Sequence, residues 1–463
     1  MLAGTVVAQL LQVLLSPALT RLFTPAEFGE FSTVLSVALL LAVVFTLRYE
    51  LAIVLADDDV EALSVARLAL RLALTMAAGC LGLLLIIRLA GWRLPNAFTG
   101  ALPFFMVGLG LLMALSQIAT SWCNRQRAYR RMSLGVIAQQ GVTALASVIF
   151  GLIKVVPGGL IVGRVVGQAC AALTTAGAWL PAARAARSQT RGVSLKRVAL
   201  KFRQFPAFNV AYSLIASAGR DFLVLAFALS HNLAAAGAYG LARTIAYLPM
   251  TFMSAALSQV FYREAATADR AAVLDLALKL LSAMAVGMVP AFTVLGFFGP
   301  DLFALIFGER WRDAGQYAAV LAVPAAMAAA CSWPERLYEV ARRQKVSLFV
   351  QATFDAISVL VVAVLVFTGR PVLWAVIAYA ILNTMFNIAY LACAWRVSGF
   401  ALRSLLKPAR LALATGAISA VICLLLQRLP APAVLVAIAA AAASVVHLLL
   451  LAYRWRGLLG AGK

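Results

Sequence analysis

Residues 434–446 read Val-Leu-Val-Ala-Ile-Ala-Ala-Ala-Ala-Ala-Ser-Val-Val, with no charge, proline or glycine to interrupt them. In lipid, where no water satisfies the backbone, such a run is stable only as a helix, because a barrel strand would alternate apolar and polar positions instead. A hydrocarbon core of ~30 Å needs about 20 residues of this kind per helix. Cutting outward at each polar or Pro/Gly-rich break gives fourteen segments, from residues 2–22 to residues 431–452. The sequence thus specifies an all-α polytopic membrane protein of about fourteen transmembrane helices. Over all 463 residues, 64% are apolar and 12% charged, and the mean hydropathy is +0.96. Soluble domains carry about 25% charged residues, so one ordinary soluble domain is excluded.

The apolar run from Leu2 has no basic stretch before it and leads through Thr20–Pro25 into another span, so it reads as the first helix rather than a cleavable signal. Cys80, Cys123, Cys170, Cys331, Cys393 and Cys423 lack both metal-ligand spacing and a disulfide framework, and read as packing residues. No cofactor or metal is expected.

The net charge of +22 is explained by topology. With the N-terminus inside, alternate connections and the helix ends beside them hold 27 of the 39 Lys and Arg, against 8 on the other side. Positive loops face the cytoplasm, which predicts both termini there. The charge then orients the protein and attracts anionic lipid, and no nucleic-acid partner is required.

Four cations fall within spans: Arg48, Arg164, Arg220 and Arg243. An Arg at a helix centre costs about 2.5–3.5 kcal/mol on insertion scales, so each needs a partner, a wet cavity or a route to the headgroups. Arg164 lies near the end of its span, where snorkelling is an alternative. Arg48 has Glu50 two residues on, where a local ion pair is an alternative. Arg220 and Arg243 lie eight or nine residues deep and are the strongest candidates for ligand contact. Guanidinium presents paired donors that match phosphate oxygens, which makes pyrophosphate the favoured ligand. Asp221 would balance Arg220. Asp355, with no adjacent base, is a candidate for coupling to a proton or cation, or else an inter-helix hydrogen-bonding residue.

Polar residues recur at helical spacing in several spans: Gln9 and Gln12; Arg164 and Gln168; Asn209, Ser213 and Arg220; Arg243 and Tyr247; Gln351 and Asp355; Asn383 and Asn387. Each stripe alone fits helix-to-helix hydrogen bonding, at ~1 kcal/mol per contact. Together, with cations among them, they predict a hydrated cavity. Asp57, Asp58, Asp59 and Glu61 are expected to cap the third span.

The chain also repeats itself. Ala26-Glu27-Phe28-Gly29-Glu30-Phe31 aligns with Ala234-Ala235-Ala236-Gly237-Ala238-Tyr239 at an offset of 208, and Ser121-Trp122 with Ser332-Trp333 at 211. Repeated halves are the usual build of transporters. We therefore expect a six-helix lobe at 1–183, a basic cytoplasmic linker at 184–203, a second six-helix lobe at 204–400, and a peripheral helix pair and tail at 401–463. Prolines 206, 249, 290 and 324 are expected to bend their spans. No Ser/His/Asp set, HExxH motif or paired-carboxylate cleft is present, which argues against an enzyme.

Leu15-Ser16-Pro17, Leu19 through Gly29, and Arg48-Tyr49-Glu50-Leu51-Ala52-Ile53-Val54-Leu55 before the acidic cluster resemble the O-antigen flippase group. That group belongs to the multidrug/oligosaccharidyl-lipid/polysaccharide exporter superfamily. Weaker matches are Gln259-Val260-Phe261-Tyr262 and Phe307-Gly308-Glu309. The resemblance implies two six-helix bundles in a V around a cationic cavity. It also implies alternating-access export of an undecaprenyl-pyrophosphate-linked oligosaccharide across the bacterial inner membrane, for O-antigen, lipopolysaccharide, capsule or exopolysaccharide. A polysaccharide polymerase and a chain-length regulator would be partners. The alternatives are a cation-coupled multidrug antiporter of the same superfamily, a peptidoglycan-precursor flippase, and a membrane glycosyltransferase or polymerase.

Overall fold

The computed structural model describes residues 14–92, 98–154, 158–185 and 193–428. Every described element is helical. Among the described residues, ten helices are long and apolar enough to cross a membrane, and eleven if the pair Phe205–Ser217 and Gly219–Leu229, bent by 56°, is one span. The chain forms two compact units, Met1–Gly237 and Ala238–Lys463.

In the first unit, residues 14–22 are helical and lead into α1 (Pro25–Thr46). Its start is written in Thr24-Pro25-Ala26-Glu27: the Thr24 hydroxyl accepts from the Glu27 amide, the Glu27 carboxylate accepts from the Thr24 amide, and Pro25 presets the first turn. The sequence places Arg48 within a span, but α1 stops at Thr46. Leu47 and Arg48 take left-handed φ values of 47° and 61°, and the chain continues as a 3-10 turn, Tyr49–Val54. Such backbone is costly for residues with a Cβ and persists where surrounding contacts hold it.

After this turn come α2 (Asp59–Leu89), α3 (Leu102–Arg125), α4 (Tyr129–Leu152), α5 (Gly159–Ala185), the short α6 (Leu195–Lys201), a π-helical stretch Phe205–Val210 and α7 (Ala211–Leu229). The acidic cluster caps α2 as expected: Asp58 accepts from the Glu61 amide at 2.7 Å. It also ties neighbours down. Arg125 at the end of α3 reaches Asp59 at 2.8 Å and the carbonyls of Ile53 and Ala56, and Lys201 of α6 pairs with Asp57 at 2.8 Å and with Glu61. Val198 of α6 is buried against Tyr49, Ile53, Leu63 and Trp122.

Lipid removes most of the hydrophobic drive between helices, so close approach through small residues carries more of the packing. Gly29 of α1 meets the backbone of Leu233, the first residue of α8 (Leu233–Ala246), so closely that a Cβ would overlap its carbonyl; Gly237 meets the Pro25 carbonyl in the same way. Both contacts lie inside the first unit, whose boundary falls within α8.

The second unit holds the rest of α8, then α9 (Leu248–Thr267), α10 (Arg270–Gly287), α11 (Val289–Phe307), α12 (Arg312–Cys331), the short α13 (Arg336–Val340), α14 (Gln344–Phe367), α15 (Val372–Val397) and α16 (Leu406–Gln427). Its main apolar cluster packs Phe261 edge-on to Trp333 at 4.6 Å, with Tyr338 and Trp395 buried beside them. Gly299 of α11 and Gly315 of α12 approach each other's backbone as Gly29 and Gly237 do Leu233 and Pro25. Pro249 and Pro290 each stand second in a new helix, so those spans break at Tyr247 and Met288. Pro324 instead lies buried within α12.

Candidate functional site

The break after Thr46 builds the site. Because Arg48 sits outside the α1 ladder, its side chain turns across to α7, where Nε donates to Ser213 Oγ at 2.8 Å. Its Nη1 donates to Glu50 Oε1 at 3.1 Å. Glu50 is 1% exposed, and its Oε2 is sealed with no hydrogen-bond partner. The Arg48 side chain keeps 25% exposure and lines a cavity of about 350 Å³ in the first unit.

Leu39 of α1, Glu50 and Leu51 of the 3-10 turn, and residues of α3, α4 and α5 complete the walls. Arg164 enters from α5. Its Nε is sealed and without a hydrogen-bond partner, and among the described residues no carboxylate pairs with it. One turn further on, Gln168 donates from Nε2 to Ser116 Oγ at 2.8 Å and accepts from Gln139 Nε2. Gln117, Thr120 and Ser121 of α3 add further polar atoms, and Gln117 Oε1 has no hydrogen-bond partner. Two guanidinium groups therefore face one polar chamber whose described lining holds a single carboxylate, already engaged by Arg48. Such a chamber favours an anion that brings several acceptor oxygens.

The other expected residues fall elsewhere. Arg220 of α7 has a 57% exposed side chain 3.8 Å from Asp221, and does not line that cavity. Arg243 of α8 is half-buried near Tyr239 and Tyr247 in the second unit. Asn209 is half-buried in the π-helical stretch. Tyr247 donates to Asn383 Oδ1 at 3.0 Å, and Asn387 Nδ2 donates to the Asn383 carbonyl at 2.7 Å. Asp355 is half-buried on α14. Gln9 and Gln12 lie outside the described residues. The α3 set was missed at the sequence level, although Ser116/Thr120 and Gln117/Ser121 are both spaced by four in an apolar span, the same signal used elsewhere. Among the described residues no cluster of three or more His, Cys, Asp or Glu could hold a metal.

The fold is that of known transporters. The chain matches the inward closed conformation of the lipid II flippase MurJ with a TM-score of 0.73, over 99% of both chains and at 11% identity. It matches the inward-facing conformation of a multidrug resistance MATE family transporter of the MOP superfamily with a TM-score of 0.59, at 15% identity, over 84% of this chain and 94% of that one. None of the curated proteins matches the sequence. Residues 18–316 match the model of the family described as polysaccharide biosynthesis protein, which is well over half the chain. With its many membrane-spanning helices and this fold, the chain is a multi-pass membrane protein and belongs to the polysaccharide biosynthesis protein family.

Proposed function

We propose that this protein moves an undecaprenyl-pyrophosphate-linked oligosaccharide repeat unit from the cytoplasmic to the outer leaflet of a bacterial inner membrane by alternating access, for O-antigen, capsule or exopolysaccharide assembly. The observation that carries the reading is the Arg48–Arg164 cavity, where a guanidinium without a counter-ion faces polar walls inside an apolar bundle. Holding Arg164 there without an anion is costly, and a diphosphate headgroup relieves that cost while its prenyl tail stays in lipid. Family membership and the likeness to a lipid II flippase support this reading.

Arg48 and Arg164 take the pyrophosphate, with Arg220 and Arg243 as further contacts along its route. Gln9, Gln12, Asn209, Ser213, Asn383 and Asn387 supply polar lining, and Asp355 couples transport to a proton or cation. Fourteen spans, with both termini cytoplasmic, carry two sequence repeats at 1–183 and 204–400, joined by the 184–203 linker and followed by the 401–463 pair. A polymerase and a chain-length regulator would receive the cargo.

The deciding experiment removes the gene and identifies the lipid-linked intermediate that accumulates inside; Arg48→Ala with Arg164→Ala should reproduce that block with normal protein levels. Unchanged surface polysaccharide in the double variant defeats the reading. The fold shared with a multidrug transporter favours drug extrusion as the second reading. It predicts drug resistance on overproduction and no lipid-linked intermediate.

A further inference from the structure

Glu50 has a role that a headgroup site does not by itself require. A carboxylate that merely orients an arginine usually does so through two parallel bonds. Here the contact is single, through Nη1 to Oε1, while the other oxygen is sealed and unpaired. Orientation is already supplied by Ser213 at 2.8 Å from Nε. What Glu50 adds is a negative charge, buried within reach of one of the two cavity guanidiniums.

The pair is also asymmetric. Glu50 is 1% exposed, whereas Arg48 keeps a quarter of its side-chain surface toward the cavity. Glu50 stands in the same wall but is nearly sealed, so an arriving anion engages Arg48 and must share or take the guanidinium that Glu50 holds. Arg164, in the same cavity, has no such rival. A transport site must bind strongly enough to load yet weakly enough to unload. Two unopposed arginines favour loading; one opposed and one unopposed favour exchange.

We propose that Glu50 is a tethered competitor for the anionic headgroup. In the empty cavity it neutralises Arg48; a bound diphosphate displaces it from that guanidinium; its return helps expel the anion. The idea rests on the headgroup reading above, and it makes Glu50 a positioning residue that sets release rather than a ligand contact.

The test measures binding of inorganic pyrophosphate to the full chain in lipid nanodiscs, for wild type, Arg48→Ala, Arg164→Ala and Glu50→Gln. Removing the competing charge while keeping the shape should tighten pyrophosphate by about tenfold, chiefly through slower dissociation, the range expected for loss of one charge-assisted contact. The two arginine variants should weaken it. In cells, Glu50→Gln should slow export even though binding improves, a split that a purely structural role does not produce. If Glu50→Gln proves unstable, Glu50→Asp retracts the carboxylate by one methylene and should tighten binding to a smaller degree. Binding that depends on Arg48 but is unchanged or weaker in the Glu50 variants overturns the competitor and makes Glu50 an anchor. Pyrophosphate binding that is absent, or indifferent to both arginines, overturns the headgroup reading and this inference with it.

Discussion

The two compact units use the same sequence device to opposite ends. In the first, polar residues on α3, α4 and α5 converge on a cavity and leave Arg164 Nε, Glu50 Oε2 and Gln117 Oε1 without hydrogen bonds. In the second, Tyr247, Asn383 and Asn387 bond to one another, and Tyr338 and Ser347 both reach Tyr390 at 2.7 Å. One set leaves polar atoms unpaired around a cavity; in the other each of these side chains has a partner. A stripe of polar residues at helical spacing does not distinguish these outcomes, but the bookkeeping of donors and acceptors does.

The largest expected effect breaks the open set. Arg48→Ala with Arg164→Ala should lower transfer of lipid-linked sugar to the outer leaflet by about a hundredfold or more, two charge-assisted contacts being lost at ~1.5–3 kcal/mol each. Protease accessibility of the glycan in sealed vesicles, normalised to protein level, is the readout. Equal loss from Tyr338→Phe would erase the contrast between the units.

Gly29→Ala tests the frame around the cavity. The added methyl overlaps the Leu233 carbonyl, so the helices must separate, at about 1–3 kcal/mol or more. A lower melting temperature in detergent is expected, and Gly315→Ala, at the corresponding tight crossing of the second unit, should match it. A silent Gly29→Ala would show that the crossing yields freely.

Tyr338→Phe sharpens the closed set. Losing the bond to the Tyr390 carbonyl should cost about 1 kcal/mol of stability and leave export per folded molecule unchanged.

The smallest effect concerns α6, pinned to the acidic cluster by Lys201. Hydrogen bonding from Lys201, followed by its charge, holds the Asp57 carboxyl below the ordinary aspartate range, while hydrogen bonds to Asp57 and Glu61 raise the Lys201 ammonium above the ordinary lysine range. A depressed carboxylate stabilises above its unfolded value and loses that contribution as pH falls through the folded one; a raised lysine stabilises below its unfolded value and loses it as pH rises through the folded one. Hydrogen-exchange protection of Leu195–Lys201 should therefore be level through neutral pH, then fall in acid and again in strong alkali. Both side chains are exposed, so added salt should flatten the acid limb.

How far the sequence could be read follows from these particulars. Helical segments were legible because long apolar runs have one solution in lipid, and Thr24, Glu27 and Asp58 announce their caps. Where α1 stops was not legible: Phe45-Thr46-Leu47-Arg48 contains no Gly or Pro, and the left-handed backbone at Leu47 and Arg48 is held by local bonds to Val44 O and Thr46 Oγ1 together with the tertiary contact of Arg48 to Ser213. That break turns Arg48 toward Ser213 and draws it into one chamber with Arg164, a pairing invisible to counting residues along spans. Depth counting favoured Arg220 because it assumed a straight helix; the π-helical start and the bend near Gly219 leave that side chain exposed. Proline positions were informative as starts rather than kinks, since Pro249 and Pro290 begin new helices.

The paired glycines bear on the protein's ancestry. Gly29 meets Leu233 and Gly237 meets Pro25, so contacts and counterparts obey the single offset of 208: the crossing is self-complementary, as between two copies of one shorter chain about a dyad. At that same offset Arg48, Glu50 and Arg164 correspond to Ala256, Ser258 and Val372. The glycines of this crossing stand in both stretches while the chamber residues stand in one alone, the pattern that a duplication followed by divergence would leave.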